Sequence, residues 1–177
     1  MAFCEKTDFI GDINLPAEFL NSDRFDAFLL KYEKMVLIKL LGYDLYKKFT
    51  DGLDQIVIAQ KWVNLRDGLE YTIVNGTNVQ NVEYYSGMVD ILKYFVYFFI
   101  SDAIQSELTI TGEVSAKNEN SVVSSPAPRV TGLWNDGVDN AMDMKKYIEW
   151  YNENYSDNYS TFVMNENYFK KMNLFSI

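Results

Sequence analysis

Apolar and aromatic positions recur every three or four residues along 84–108, which is the spacing of one buried helix face. From Tyr94 to Ile100 every residue is apolar or aromatic, and a helix that is apolar on all sides is normally enclosed by protein. Only eight uncharged residues separate Lys93 from Asp102, far fewer than the ~20 that a bilayer-spanning helix needs. We therefore predict a buried central helix at about 84–108 and no membrane span.

The same periodicity predicts further helices on both sides of the central one. They are expected at 23–41, with a cap at Ser22 or Asp23 and a stop at Gly42, and at 43–49, 55–67 and about 133–155. We expect the core to contain ten apolar side chains: Phe28, Tyr32, Met35, Leu40, Met88, Leu92, Phe95, Phe99, Trp134 and Ile148. With 177 residues, the chain is most simply one domain, 1–177, with a helical core at about 22–108 and 132–156.

One small β-hairpin is predicted at about 70–80. Residues favourable for strands flank Asn75-Gly76, and an Asn-Gly pair is typical of a two-residue hairpin turn because both residues adopt positive φ. A two-stranded hairpin is only marginally stable alone in water, so it must pack on the helices or on a neighbour.

The segment 109–131 contains no aromatic residue and is rich in Ser, Thr and Asn, and Pro126 and Pro128 interrupt any helix. Such a segment is usually functional or disordered, so it is either an extended arm or a plain flexible loop. The tail 157–177 carries too many apolar residues for a solvated terminus, and docks either on its own core or on another subunit. The predicted fold class is mainly α, a helical bundle with one hairpin, a long extended arm and a tail.

The composition argues against several kinds of catalytic and binding site. The chain has no histidine and one cysteine, Cys4, which argues against zinc sites, disulfides and histidine-activated nucleophiles. The net charge of −9 disfavours binding to nucleic-acid phosphates or anionic membranes. No phosphate-binding loop or GxSxG motif is present, and no signal-peptide pattern begins the sequence. We expect a non-enzymatic protein without a cofactor, in a reducing cytoplasmic environment.

Three aspartates, Asp136, Asp139 and Asp143, fall three and four residues apart on a predicted helix, so they are expected to lie on one face of it. They are suited to a divalent ion in principle, but acidic residues near a helix N-terminus usually form a solvated face. We therefore assign no metal site.

The order of these features resembles the head–tail connector (adaptor) proteins of tailed bacteriophages, especially those of Bacteroidota phages. The stretches that carry the resemblance are YEKMVLIKLLGYDLYKKF at 32–49, GLEYTIVNG at 68–76 leading into YYSGM at 84–88, ILKYFVYFFISD at 91–102, TITGEV…NENSVVSSPAP at 109–128, and the segment from Trp134 to Tyr155. Together they span about residues 23–155. None of them is a catalytic signature.

The resemblance implies a structural role. Adaptors of this kind are mostly helical, form a ring of commonly twelve copies beneath the portal, extend the DNA channel and present a platform to the next neck protein. The expected partners are copies of the same chain, the portal protein, the next neck or tail protein, and DNA that passes through without sequence-specific binding. The expected location is the virion neck, after assembly in the host bacterial cytoplasm.

Two sets of interface residues follow from this interpretation. The arm set, expected to contact other subunits or the portal, is Thr111, Gly112, Glu113, Asn118, Glu119, Asn120 and Ser121. The tail set, expected to fill pockets on a neighbour, is Phe162, Tyr168, Phe169 and Phe175.

Two other classes remain open. The chain is alternatively another neck component, such as a stopper or tail-completion protein, although those tend to be β-rich. It is also compatible with an acidic helical enzyme or regulatory module that binds a divalent ion through carboxylates.

Overall fold

The computed structural model describes residues 2–11, 13–75, 79–109, 112–115, 127–159 and 161–173, and the side chains of all of these except 75, 79, 103–109, 112–115 and 127. The fold is mainly helical, as the sequence predicts. In chain order, a 3-10 helix at Lys6–Phe9 precedes α1 (Ala17–Leu20), α2 (Asp23–Leu41), α3 (Tyr43–Leu53), α4 (Gln60–Asp67), β1 (Leu69–Asn75), β2 (Val79–Tyr85), α5 (Met88–Gln105), β3 (Ser106–Thr109), β4 (Gly112–Ser115) and α6 (Ala127–Asn154).

Helix α5 is the centre of the bundle. It packs against α2, α4, α6 and the 3-10 helix, and Phe95, Val96 and Ile100 are completely buried. This arrangement confirms the prediction of a buried central helix, although the helix begins at Met88 and not at residue 84. Residue 84 belongs to the preceding strand instead, where it pairs with Glu70 of β1.

The predicted core is only partly the observed one. Of the ten residues, those that are buried are Leu40, Met88, Leu92, Phe95, Trp134 and Ile148, whereas Phe28, Tyr32, Met35 and Phe99 pack at its margin. Helix α2 turns a slightly different face inward, with Leu29, Glu33 and Val36 on it. The displaced aromatic residues stack on one another along this margin, with the Tyr32 and Phe99 rings 5.3 Å apart.

Both predicted ends of α2 are confirmed. The Ser22 hydroxyl accepts a hydrogen bond from the Phe25 amide at 3.3 Å, and Gly42 ends the helix with φ 74°. Helix α3 then runs to Leu53, beyond the predicted end at residue 49 and through Gly52, a residue typical of turns. Gly52 serves packing there, because a Cβ at that position would lie 2.2 Å from the indole nitrogen of Trp62.

Helix α4 is shorter than the predicted 55–67 because it begins at Gln60. Its buried face carries Trp62 and Leu65, but Ile56 lies in the preceding loop and is fully exposed. One turn of apolar spacing is weak evidence for a helix, because the backbone groups of an exposed loop can form hydrogen bonds with water instead.

Two buried tyrosine hydroxyls attach α4 to the rest of the fold. Tyr85 donates to the Leu65 carbonyl at 2.8 Å, and Tyr159 donates to the Lys61 carbonyl at 2.6 Å. The Leu65 carbonyl belongs to the last turn of the helix, where carbonyl groups have no intrahelical partner. These hydrogen bonds connect the helix to β2 and to the segment after α6.

The predicted hairpin is present as β1 and β2, which pair antiparallel from Leu69 opposite Tyr85 to Asn75 opposite Val79. The predicted two-residue turn at Asn75-Gly76 is wrong, because Asn75 is the last residue of β1 and pairs with Val79, so that three residues, 76–78, connect the strands. Residues 76–78 themselves lie outside the described residues. On its inner face, Tyr71 and Tyr85 pack on Tyr147 of α6, with ring centroids 5.6 Å and 5.2 Å away. The hairpin is therefore stabilised by the bundle, as a two-stranded sheet requires.

Two glycines form the base of this hairpin. Gly68 and Gly87 have φ of 82° and 100°, and a Cβ on either would lie within 2.7 Å of the backbone of the opposite segment. Only glycine combines this left-handed conformation with so close an approach. The pair fixes the position at which the chain leaves α4, makes the hairpin and enters α5.

The arm predicted at 109–131 overlaps regular secondary structure at both of its ends. A second hairpin, which the sequence analysis did not predict, pairs β3 with β4, and α6 begins at Ala127, not at about 133. Pro128 lies in the first turn of α6, where its missing amide hydrogen has no intrahelical partner to lose. Residues 116–126 lie outside the described residues.

We predict that Gly87→Ala lowers the free energy of unfolding by more than about 1 kcal/mol, because alanine at φ 100° is strained and its Cβ meets the Asp67 backbone. Gly132→Ala is the matched control, since Gly132 lies in α6 with open space around it. The control is expected to raise stability by about 0.5–1 kcal/mol. Urea denaturation followed by circular dichroism measures both, and equal effects would contradict the role of the glycine pair.

Candidate functional site

The predicted arm residues fall mostly beyond the described part of the chain. Gly112 and Glu113 lie in β4, opposite Thr109 and Leu108 of β3. The others, Thr111, Asn118, Glu119, Asn120 and Ser121, lie outside the described residues. A β-hairpin thus begins this segment, and its contacts with other subunits remain a prediction.

The described part of the tail docks on its own chain. The Trp134 indole donates to the Lys170 carbonyl at 2.8 Å. The Asn135 amide nitrogen donates to the Met172 carbonyl at 3.1 Å, and its oxygen accepts from the Met172 amide at 2.8 Å. One side chain thus satisfies both backbone groups of a tail residue.

This docking changes the interpretation of the tail residues. Phe169 is 1% exposed and packs 4.8 Å from the Phe95 ring of α5, so it belongs to the core of its own chain and is not accessible to a neighbour. Phe162 and Tyr168 are half-buried, and the Lys39 ammonium lies 4.9 Å from the centre of the Tyr168 ring. Phe175 lies outside the described residues.

An apolar surface that the sequence analysis did not identify lies on the outer face of the β1–β2 hairpin. Val74, Val82 and Tyr84 are 64%, 68% and 60% exposed, and they lie on the side opposite to the buried Tyr71 and Tyr85. Thr72, directly opposite Val82, extends the same face. We call these four residues the hairpin face. Glu70, opposite Tyr84, and Gln80, opposite Val74, lie on the same side of the sheet. Because 70–74 and 80–84 do not alternate strictly between apolar and polar residues, the sequence carries no clear signal for this face.

A second exposed apolar group precedes α4. Ile56 and Val57 expose 103% and 84% of their surfaces in the loop between α3 and α4. Isolated apolar side chains on a surface are normal. Because the hairpin face groups three of them on one small sheet, it is the more informative surface.

Two of the three aspartates that the sequence places on one helix face form ion pairs with lysines. Asp139 pairs with Lys171 of the tail at 2.7 Å, and Asp143 pairs with Lys146 at 2.8 Å. Within the part of the chain that the structure describes, no group of three or more acidic or cysteine side chains is arranged to hold a metal ion. In the same residues, no helix is long and apolar enough to span a bilayer.

Glu33 of α2 is the one strongly buried carboxylate among the described side chains, at 2% exposure. One carboxylate oxygen accepts from the Cys4 amide at 2.6 Å and from the Phe3 amide at 3.1 Å, and the other accepts from the Phe3 amide at 3.2 Å. Burial raises the pKa of Glu33 above its ordinary value, while these hydrogen bonds act in the opposite direction. The carboxylate therefore holds the N-terminal segment at a cost in desolvation.

A cleft of about 300 Å³ adjoins this carboxylate, between α2, α3 and the N-terminal segment. Its walls mix apolar side chains, Leu30, Leu37 and Leu53 among them, with polar and charged ones. Because both carboxylate oxygens are already hydrogen-bonded to backbone amides, the position of Glu33 is explained by the fold alone.

Comparison of the chain with protein-family models, curated proteins and solved structures finds no significant match. The resemblance to head–tail connectors therefore remains an expectation from the sequence.

We predict that Asn135→Ala releases the end of the tail. Without the two hydrogen bonds to Met172, trypsin is expected to cleave after Lys170 and Lys171 about tenfold faster. Asn154→Ala is the control, because its side chain bonds only to the Trp150 carbonyl within α6. Mass spectrometry of a timed digest measures the rates, and equal cleavage of both variants would show that Asn135 does not hold the tail.

We also predict a pH effect from Glu33. Since its pKa is raised in the folded state, the folded protein must ionise a buried carboxyl as pH rises, and the free energy of unfolding falls through that range. Glu33→Gln removes this ionisation, so its stability relative to the natural chain is expected to increase from about pH 4 to pH 7.

Urea denaturation at several pH values measures this difference. Glu149→Gln is the control, because the Glu149 side chain is 56% exposed on α6 and its removal should leave the pH profile nearly unchanged. If the curves for Glu33→Gln and the natural chain ran parallel, the buried carboxyl would not govern the pH dependence.

Proposed function

We propose that this chain is a structural subunit of a head–tail connector, assembling as a ring of identical copies beneath a phage portal. The order of sequence features at 32–49, 68–76, 91–102 and 109–128 supports the proposal through its resemblance to that family. The mainly helical fold is compatible with it. The observation that carries it furthest is the exposed hairpin face.

The hairpin face has the chemistry of a protein contact. Its inner side already packs on α6, so the outer side chains Val74, Val82 and Tyr84 are not needed to hold the hairpin to the bundle. Contiguous exposed apolar residues on a soluble protein commonly mark an interaction site. Aromatic residues such as tyrosine are also enriched at interface centres.

Because the described part of the tail docks on its own chain, we expect the contacts with neighbouring subunits to lie elsewhere. Phe169 is used in the subunit's own core, and the Asn135–Met172 and Asp139–Lys171 interactions attach the tail along α6. The hairpin face and the arm segment then provide the surfaces for neighbouring subunits. A surface of one subunit that meets a different surface of the next can close into a ring.

We predict that Val82→Glu abolishes ring formation, or loading onto a portal, without unfolding the protein. A carboxylate placed opposite Thr72 in the centre of the hairpin face must be desolvated on assembly, whereas in the free subunit it is solvated. Ile10→Glu is the matched control, because Ile10 is also exposed, at 63%, but lies on the N-terminal segment.

Native mass spectrometry of each protein, alone and mixed with candidate phage portal complexes, measures the outcome. The natural chain and Ile10→Glu are expected to give a discrete ring or many copies per portal, and Val82→Glu a monomer. A natural chain that stays monomeric and ignores every portal would overturn the proposal. Rings of Val82→Glu would remove the hairpin face from it.

A further inference from the structure

A polar cleft lies between α3, α4 and the segment that follows α6. Its volume is about 340 Å³. The groups that carry the following argument are Lys48, Lys61, Trp62, Ser156, Asn158 and Thr161. This cleft is separate from the hairpin face and from the cleft beside Glu33.

The Thr161 hydroxyl is unsatisfied. Among the described side chains it is the only buried nitrogen or oxygen atom that has no hydrogen-bond partner. A buried hydroxyl without a partner is unfavourable, and such an atom in a native fold calls for a reason. Thr161 lines both this cleft and a neighbouring one. Its hydroxyl oxygen has almost no exposed surface, so a molecule in the cleft can supply the missing partner only after the Thr161 side chain rotates toward the cleft.

The other polar groups of the cleft are mostly hydrogen-bond donors. Lys48 forms no ion pair with any described residue, and its exposed ammonium is available to the cleft. The Ser156 hydroxyl and the Asn158 amide add neutral donors. The only acidic side chain in the lining is Asp157, which pairs with Lys61 and is itself 72% exposed.

Lys61 is held in place from several directions. Its side chain is only 13% exposed, and the ammonium lies 4.7 Å from the centre of the Trp62 ring. The Tyr159 hydroxyl donates to the Lys61 carbonyl, and the Tyr159 amide donates to the Asn152 side chain at 2.6 Å. A lysine that is fixed in this way loses little freedom when it binds an anion.

We propose that this cleft binds a phosphate group. Two ammonium groups, two hydroxyls and an amide belong to residues that line the cleft, and one of the ammonium groups, that of Lys61, already pairs with Asp157. Such a set of donors matches the several oxygens of a phosphate better than the two of a carboxylate. The Trp62 and Leu45 side chains line the same space and provide an apolar wall for the organic part of a small phosphate ester. The site requires no ring and no portal, so it stands independently of the connector proposal.

The test is a titration of the full-length, ¹⁵N-labelled protein with inorganic phosphate and with phenyl phosphate at constant ionic strength. The indole N–H signal of Trp62, assigned by its loss in Trp62→Phe, is expected to shift saturably, and those of Trp134 and Trp150 to stay in place. Phenyl phosphate is expected to bind more tightly than inorganic phosphate, since its ring contacts the apolar wall.

Single-residue variants test which side chains bind the phosphate. Lys48→Gln and Thr161→Val are each expected to weaken phosphate binding by about tenfold or more, whereas Thr161→Ser, which keeps the hydroxyl, retains it. Lys146→Gln is the matched control, because Lys146 is a similarly exposed lysine that pairs with Asp143 on α6. Its binding is expected to equal that of the natural chain.

Three results would overturn the proposal. The first is the absence of a saturable Trp62 shift with either phosphate. The second is equal weakening by Lys146→Gln and Lys48→Gln, which would indicate general attraction of anions to lysines. The third is unchanged affinity in Thr161→Val, which would show that the unsatisfied hydroxyl takes no part in binding.

Discussion

The fold depends on the need to enclose a helix that is apolar on every side. Residues 94–100 of α5 are all apolar or aromatic, so α2, α4, α6 and the N-terminal 3-10 helix pack around it. Tyr94, Phe98 and Phe99 remain partly exposed at the margin of the core. The approach of α6 is close, since a Cβ at Gly137 would lie 3.0 Å from Cβ of Tyr94. The tail covers a further part of α5 by placing Phe169 against Phe95.

Both ends of the chain are attached by the same kind of interaction. At the N-terminus, the Glu33 carboxylate accepts from the backbone amides of Phe3 and Cys4. At the C-terminus, the Asn135 amide group pairs with both backbone groups of Met172. Neither segment has a strand or helix partner for these groups, and polar backbone groups near a core need partners. Helix side chains supply them, and the terminal apolar residues then pack onto the bundle.

The proposed contact surface and the proposed phosphate site use different parts of the molecule. The hairpin face belongs to β1 and β2, whose other side packs on α6. The polar cleft is formed by α3, α4 and residues 156–161. Tyr159 connects the two regions structurally, because its ring packs on Tyr147 and its hydroxyl binds α4. Each site can nevertheless be altered by a surface substitution that leaves this shared aromatic core unchanged.

The sequence by itself determined the elements whose information is local. Helical periodicity located α2 and the central helix, Ser22 and Gly42 marked the ends of α2, and the pattern around Asn75-Gly76 located the first hairpin. These features follow from neighbouring residues, because caps, turns and periodicity are properties of a short stretch. The sequence also showed that the tail is too apolar to be solvated.

Only the tertiary structure decided what each apolar or polar residue contacts. Phe169 has the same sequence pattern whether it fills its own core or a neighbour's pocket, and Gly52 resembles a helix stop until Trp62 is seen to need its space. The burial of Glu33 and the unsatisfied Thr161 hydroxyl likewise arise from segments distant in the chain. Periodicity shows which face of an element is apolar, but only the packing of distant segments determines what covers it.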